Sequence, residues 1–159
     1  MLTKRYESVL KADVGAVWSF HSSAEALNAL TPGSRKMRFI SSDLAVREGA
    51  VHEFRVKVGP LWVTWKAQLS AVDPPHGFVD SALKSPFKTW IHKHEFISHP
   101  AGTLIRDTIE YDVPFGILGA LANRLFISKD IDRLFAFRHK ATVMLLDGAK
   151  DICPTYESS

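Results

Sequence analysis

The chain has 159 residues, of which 46% are hydrophobic and 23% are charged. This length and composition are sufficient for a hydrophobic core and exclude an intrinsically disordered chain. The net charge of +3 comes from scattered lysines and arginines, without an RNP-like, zinc-finger or helix-turn-helix pattern beside them, so we expect no nucleic-acid partner.

The cysteine content and the apolar runs indicate the compartment. The single cysteine, Cys153, cannot form an internal disulfide, which suits a reducing environment, and we interpret it as a bystander. No apolar stretch follows the basic pair Lys4-Arg5, and the longest apolar run, residues 115–121, is far shorter than the roughly 20 residues of a membrane helix. We therefore expect a cytoplasmic protein without an integral membrane segment.

The first third of the chain predicts a strand and two short helices. Residues 3–11 mix apolar and polar side chains as a strand does. Asp13 is a candidate helix N-cap, and apolar residues follow it at helical spacing up to His21. A second helical piece covers residues 24–30, and Thr31-Pro32-Gly33 ends it because proline and glycine do not continue a helix.

Residues 35–113 alternate apolar and polar side chains with a period of two, which predicts half-buried antiparallel strands. The strands with the clearest alternation are expected over residues 51–58, 61–71, 78–83, 87–98 and 105–113. Pro114 ends this region, and the glycine-interrupted residues 115–123 are predicted to form a loop or a short helical turn.

A long helix is predicted from Arg124 to about Lys150, since this stretch contains no proline. Its expected inward stripe recurs every three or four residues and consists of Ile127, Ile131, Leu134, Arg138, Ala141 and Leu145. The predicted fold class is therefore α+β: a curved antiparallel sheet wrapped around a long C-terminal helix, with two short helices after the first strand.

Several local motifs, in this order, resemble those of a known superfamily. They are Val17-Trp18-Ser19-Phe20-His21, the segment 26–32, the segment 90–96, Gly102-Thr103 through Asp107, the segment 111–116 and Phe137-Arg138-His139. The chain is similar to the START-like superfamily, also called SRPBCC or Bet v 1-like, in a bacterial cyclase/dehydrase-like or ligand-binding branch. The resemblance covers the whole chain and implies one ligand-binding domain, residues 1–159, with a helix-grip fold.

The alternation places a small set of polar residues on the inward faces of these elements: His92, His94, Asp107 and Arg138, with His52 as a fifth candidate. Buried ionisable groups are costly unless they are paired or hydrogen-bonded. One interpretation is a structural network in which Arg138 neutralises Asp107. The other is that these groups are the few polar contacts of an apolar pocket and orient a ligand.

Metal binding is a further alternative. His92 and His94 lie two residues apart on one face of a strand, a spacing that Zn²⁺ or Fe²⁺ can use, with Asp107 or His52 as a third ligand. Two histidines alone are a weak signal, and Arg138 disfavours a cation. We therefore expect no metal and no other cofactor.

The expected function is binding of a small hydrophobic molecule that carries a carboxylate, carbonyl or phenol, as a carrier or sensor. The predicted ligand-binding residues are Trp90, His92, His94, Asp107, Tyr111 and Arg138. The alternative is an acid/base enzyme of the aromatic cyclase/dehydrase type in the same cavity, with His92 or His94 as general base and Arg138 stabilising an enolate oxyanion. A third option is an interaction module with a vestigial cavity. The sequence indicates neither a particular ligand nor an oligomeric state.

Overall fold

The structure is a computed structural model that describes residues 1–58 and 60–148; Cys153 and the predicted helix end at Lys150 lie outside these residues. The described strands are β1 (Leu2–Leu10), β2 (Met37–Phe39), β3 (Val51–Val58), β4 (Leu61–Asp73), β5 (Gly77–Lys84), β6 (Thr89–His99) and β7 (Gly102–Asp112). The described α-helices are α1 (Val14–His21), α2 (Ala24–Ala29), α3 (Gly116–Ala122) and α4 (Ser128–Asp147). A π-helical segment, Asn123–Ile127, joins α3 to α4.

The described strands form one antiparallel sheet in the order β1-β7-β6-β5-β4-β3-β2. Strands β2 to β7 follow one another as a meander. The last strand, β7, also pairs with the first strand, β1, along the whole length of β1, from Leu2 opposite Tyr111 to Leu10 opposite Thr103. Gly102 begins β7 with a φ of +131°, and a Cβ there would collide with the carbonyl oxygen of Leu10. Glycine therefore permits the β6–β7 turn to approach the end of β1.

The sheet curves because β4 is irregular. The pairing between β4 and β5 shifts register between Lys66 and Ala67 and again between Ser70 and Asp73. At the second shift Ala71 takes a φ of +48°, a left-handed conformation that is uncommon for a residue with a side chain. Such bulges bend a strand and increase its local twist, which contributes to the curvature of the sheet.

The two short helices begin where the sequence predicts. The side chain of Asp13 accepts a hydrogen bond from the backbone N–H of Ala16, which confirms Asp13 as the N-cap of α1. Ser23 caps α2 in the same way through the N–H of Ala26. Both helices therefore start at hydroxyl or carboxylate side chains that satisfy backbone donors.

The C-terminal helix starts earlier than predicted. Residues 115–123 were expected to form a loop or short turn, but the chain is helical from Gly116 through the π-helical segment into α4. The prediction was wrong because glycine was interpreted only as a helix breaker. A Cβ at Gly119 would collide with the carbonyl oxygen of Pro114, so glycine is what allows α3 to pack close to the end of the sheet.

The buried side of α4 also differs from the predicted stripe. The structure buries Phe135 and His139, whereas Leu145, predicted inward, is 56% exposed. The reason is that α4 has two neighbouring inward faces. One carries His139, which contacts Asp107 on the sheet, while the other carries Arg138 and borders a cavity; Leu134 and Phe135 lie between them and contribute to both the core and the cavity lining. The predicted stripe followed the second face and continued it beyond the cavity.

Polar contacts join α4 to the start of the chain. Lys4 and Tyr6 on β1 both donate hydrogen bonds to Asp132, at 2.5 and 2.6 Å. At the other end of the helix, Asp147 accepts hydrogen bonds from the backbone N–H groups of Lys11 and Ala12, at 2.7 and 3.0 Å. The helix therefore cannot slide along the sheet without breaking charge-assisted hydrogen bonds, which are among the stronger ones in proteins.

The buried apolar side chains form two clusters. The first contains Leu10, Val17, Leu69, Phe78, Phe96, Ile105 and Val143. The second contains Tyr6, Trp90, Ile109, Tyr111, Ile131 and Phe135. No helix within residues 1–58 and 60–148 combines the length and the hydropathy that a bilayer crossing requires.

Candidate functional site

A cavity of about 730 Å³ lies between the sheet and the helices. Strands β3 to β6 supply one side of its lining, and α2, α3 and α4 supply the other. Most of the lining side chains are aliphatic or aromatic. Its volume falls within the range of about 300–1,000 Å³ that is typical of small-molecule sites, which are likewise mostly apolar with few polar groups.

One wall of the cavity is polar because of the register between β5 and β6. Asp80 pairs with His92 across the two strands, and His94 lies two residues further on the same face. The Oδ2 atom of Asp80 lies 3.2 Å from Nδ1 of His92 and 3.3 Å from Nε2 of His94. The sequence predictions omit Asp80. The signal that would have found it is the alternation Phe78, Asp80, Ala82, which puts a carboxylate on an apolar face.

Asp107 lies behind this wall, buried and in contact with three histidines. Its Oδ1 atom lies 3.1 Å from Nε2 of His92 and 2.9 Å from Nδ1 of His94. Its Oδ2 atom accepts a hydrogen bond from Nε2 of His139 at 3.0 Å. His139 in turn forms a hydrogen bond through Nδ1 with the hydroxyl of Ser8 at 2.8 Å. A continuous chain of polar contacts thus runs from β1 through α4 and β7 to the cavity wall.

The electrostatics of this network favour ionised carboxylates. Burial opposes a charge on Asp107, but the attraction of His94 and His92 and the hydrogen bond from His139 outweigh burial and hold its pKa well below the ordinary value. Burial likewise opposes a charge on Asp80, but its attraction to His92 and the hydrogen bonds of both histidines lower its pKa. Burial alone would lower the pKa of His92, but the two carboxylates raise it above its ordinary value.

His21 adds a neutral imidazole to the cavity lining. Burial, and to a lesser extent repulsion by His94, lowers the pKa of His21 from 6.5 to about 3. Its Nδ1 atom lies 2.9 Å from the carbonyl oxygen of Val17. Because a carbonyl can only accept, Nδ1 carries the proton and Nε2 is left as a hydrogen-bond acceptor.

Arg138 lines the cavity, but the predicted pairing of Arg138 with Asp107 is wrong. Within residues 1–58 and 60–148, no carboxylate lies within ion-pair distance of Arg138, while Asp107 has histidines at both oxygens. The guanidinium carbon of Arg138 lies 5.5 Å from the centre of the Phe135 ring. His139, one position further along the helix, takes the role that the stripe assigned to Arg138. The sequence signal for His139 was its place in the motif Phe137-Arg138-His139.

The six predicted ligand-binding residues separate into two groups. Four line the cavity, namely Trp90, His92, His94 and Arg138. Asp107 and Tyr111 are buried outside the lining. The hydroxyl of Tyr111 donates a hydrogen bond to the side chain of Asn123, the first residue of the π-helical segment, at 3.1 Å. His52, the fifth inward polar candidate, is buried and lines the cavity, as expected.

The cavity reaches the surface beside α3. Phe115 and Leu118 line it and are nevertheless 83% and 75% exposed. Phe115 also has a left-handed backbone with a φ of +71°, uncommon for an aromatic residue. Arg35 and Asp130 line the cavity too and form an ion pair with each other. The mouth is therefore bordered by exposed apolar side chains and one ion pair.

The lowered pKa of His21 predicts a pH dependence of stability. The unfolded chain binds the proton near pH 6.5 and the folded chain only near pH 3, so His21 contributes stability that is complete above pH 6.5 and is lost as the pH falls towards 3. We expect a His21→Asn variant to lose less stability than the wild type between pH 6.5 and 4.5, by up to about 1.4 kcal/mol per pH unit. Urea unfolding at several pH values measures this difference.

A His76→Asn variant is the matched control, because His76 lies in an exposed turn. The carboxylates Asp80 and Asp107 contribute stability that is lost on acidification below their ordinary value of 3.8, outside this pH window. Parallel stability curves for the wild type and His21→Asn would contradict the assignment of a neutral, partly buried imidazole to His21.

Several solved structures of low sequence identity share this fold. The structure of TTHA0849 from Thermus thermophilus is 18% identical, with a TM-score of 0.71, and the match covers 94% of this chain and all of that one. The structure of CV1439 from Chromobacterium violaceum is 14% identical with a TM-score of 0.70, covering 91% of this chain and 97% of that one. Ara h 8.0201 is 11% identical with a TM-score of 0.64, covering 93% and 99%. At these identities the likeness shows the fold alone.

Comparison of the sequence with models of protein families relates the chain to one family. The model of the family described as polyketide cyclase / dehydrase and lipid transport matches residues 10–137. This range begins at the end of β1 and extends into α4, so it includes the whole cavity-lining part of the sheet. No curated protein matches the chain.

Proposed function

The chain belongs to the polyketide cyclase / dehydrase and lipid transport family, and from this premise we propose that it binds a small hydrophobic molecule in the cavity, as a carrier or sensor. The observation that carries the proposal is the combination of an apolar cavity of about 730 Å³ with a few polar groups on its lining. Apolar walls supply affinity through area removed from water, and a few polar groups fix orientation.

The charges on the lining indicate what the ligand carries. Arg138 brings a positive charge without a carboxylate partner among the described residues, so it can donate to a carboxylate or carbonyl oxygen. Asp80 is ionised and can accept from a hydroxyl group such as a phenol. A hydrophobic compound with an oxygen acceptor, a hydroxyl donor or both fits this pattern.

The electrostatics favour binding over acid/base catalysis. A general base is most effective when its pKa lies near the working pH. The pKa of Asp80 is far below that range, and that of His21 is about 3. Both ring nitrogens of His92 and of His94 face carboxylates rather than the open cavity. The network therefore suits a fixed pattern of charge better than proton exchange.

The first test concerns the aromatic wall. Trp90 is buried, lines the cavity and packs edge-on against Trp65 at 5.3 Å between ring centres. We expect Trp90→Ala to change the affinity for the apolar fluorescent probe 1-anilinonaphthalene-8-sulfonate by about 10-fold or more, because an aromatic wall supplies much of the contact area. Fluorescence titration measures this affinity.

Trp62→Ala is the matched control, since Trp62 lies outside the cavity lining and is covered by Arg38 at 4.7 Å from its ring centre. It should leave probe binding unchanged. Native mass spectrometry of freshly purified protein would identify any molecule carried along. The proposal fails if a broad panel of hydrophobic compounds shows no binding and nothing is carried along.

The second test concerns the charge of Arg138. The same probe carries a sulfonate, and we expect Arg138→Gln to weaken its binding by about 10-fold, equivalent to about 1.4 kcal/mol, because a charge-assisted hydrogen bond is lost. An uncharged hydrophobic probe should be affected much less. Arg133→Gln is the control, since Arg133 is exposed on the same helix. Equal effects of both substitutions would show that the probe senses net charge rather than a specific contact.

The alternative function is an acid/base enzyme that uses the same cavity. It is favoured by one observation, the chain of hydrogen-bonding groups that links Ser8 through His139, Asp107 and His92 to Asp80 on the lining. In this case His92 or His94 is the general base, and the proton passes between its imidazole and the substrate through Asp80. Asp80→Asn should then abolish turnover of a cyclisation or dehydration substrate and largely spare its binding, as single-turnover assays would measure.

A further inference from the structure

Three potential metal ligands converge on the polar wall of the cavity. Oδ2 of Asp80, Nδ1 of His92 and Nε2 of His94 lie within 4.8 Å of one another. The carboxylate oxygen is 3.2 and 3.3 Å from the two nitrogens. Ligand atoms bound at about 2.0–2.2 Å to one Zn²⁺ ion are separated by comparable distances in a tetrahedral arrangement. Two imidazoles and one carboxylate are the donor set that Zn²⁺ and Fe²⁺ sites use.

Rigid elements hold this arrangement. Asp80 and His92 are directly opposed in the β5–β6 ladder, and His94 follows on the same face of β6. Strand β6 is paired on both sides, with β5 and with β7. A site formed on paired strands changes little when an ion binds, and such preorganisation favours binding.

Asp107 supplies the outer support that metal-binding histidines usually have. It faces the other nitrogen of each imidazole, Nε2 of His92 at 3.1 Å and Nδ1 of His94 at 2.9 Å. Metal-bound histidines commonly donate their second N–H to a carboxylate, which fixes the tautomer and the ring orientation. Asp107 is itself held by a hydrogen bond from His139. Each imidazole is therefore oriented with one nitrogen towards Asp107 and the other towards Asp80.

The bonding and the charge of this cluster leave room for a cation. Nδ1 of His94 lies 2.9 Å from Asp107 without a well-aligned hydrogen bond within the described residues and faces away from the ion, so Nε2 is the nitrogen that His94 offers as a ligand. The carboxylates Asp80 and Asp107 bring two negative charges, which a divalent ion and two neutral imidazoles would balance. Arg138, the nearby positive charge predicted to disfavour a cation, packs on the Phe135 ring and pairs with neither carboxylate.

We propose that Asp80, His92 and His94 form a binding site for a divalent transition-metal ion, with its remaining coordination positions directed into the cavity. Asp107 acts as the outer carboxylate that positions both histidines. This site goes beyond the proposed binding of a hydrophobic molecule. Its test uses the metal alone, so the two proposals can fail separately.

The test is isothermal titration of Zn²⁺ into the chelator-treated protein, with Co²⁺ absorption spectra as a second measurement. We expect one ion per chain, visible Co²⁺ bands typical of four or five nitrogen and oxygen ligands, and a rise in melting temperature with Zn²⁺. Asp80→Asn should abolish the bands and weaken Zn²⁺ binding by at least about 10-fold. Asp107→Asn should keep the stoichiometry and lower affinity by about 10- to 100-fold.

His76→Ala is the control, because His76 and Asp73 form an exposed histidine–carboxylate pair 3.4 Å apart that shares the chemistry but not the burial. It should bind Zn²⁺ as the wild type does. Circular dichroism checks the fold of each variant, and His94→Gln provides the test if Asp80→Asn does not fold. The proposal is overturned if the wild type binds neither Zn²⁺ nor Co²⁺ when the ion concentration is well above the protein concentration. It is also overturned if binding survives both substitutions in the cluster or disappears in His76→Ala.

Discussion

The buried carboxylate of Asp107 is the constraint on which the interior of this protein depends. A buried charge costs several kcal/mol unless neighbouring groups compensate it. Here the compensation comes from imidazoles on β6 and α4 rather than from a lysine or arginine. The contacts that compensate the charge of Asp107 therefore join β7 to β6 and α4. The hydrogen bond between His139 and the hydroxyl of Ser8 extends this network to β1. Because imidazole has two nitrogens, the same contacts that satisfy Asp107 direct the other nitrogens of His92 and His94 towards Asp80 on the cavity wall.

This arrangement separates the cavity into two kinds of surface. The polar wall is held by strand pairing and by hydrogen bonds on its far side, so its geometry is nearly fixed. The apolar walls come from side chains such as Trp65, Trp90 and Leu118, and those next to the mouth are largely exposed. Such a division lets the chemistry of the polar wall select a functional group while the apolar walls accept different hydrocarbon shapes. The cavity is consistent with a family that includes both enzymes and lipid carriers.

The fold could be predicted from the sequence because each strand in the meander repeats the same local pattern. Alternation with a period of two depends only on neighbouring residues, and it correctly placed His92, His94 and Asp107 on the inward face. The site was harder to predict because its partners are set by register. The residues of β5 alone do not indicate that Asp80 lies opposite His92, because that pairing depends on the register between β5 and β6. Likewise, the exchange of roles between Arg138 and His139 depends on which face of α4 meets the sheet and which meets the cavity.

The π-helical segment has a consequence for the mouth of the cavity. It inserts one extra residue into a helix that otherwise advances by about 100° per residue. The extra residue offsets the side-chain positions of α3 by one residue from the periodicity of α4. The residues of α3 that face the cavity therefore do not continue the stripe that packs α4 on the sheet. Removing one residue from Asn123–Ile127 would let this segment return to α-helical geometry and would leave the orientation of α3 nearly unchanged, whereas removing one residue from within α3 would rotate the part of α3 before the deletion by about 100° and shift it by about 1.5 Å. The π-helical segment can therefore absorb a one-residue change in chain length without altering the entrance, whereas the same change within α3 would replace the side chains that face it.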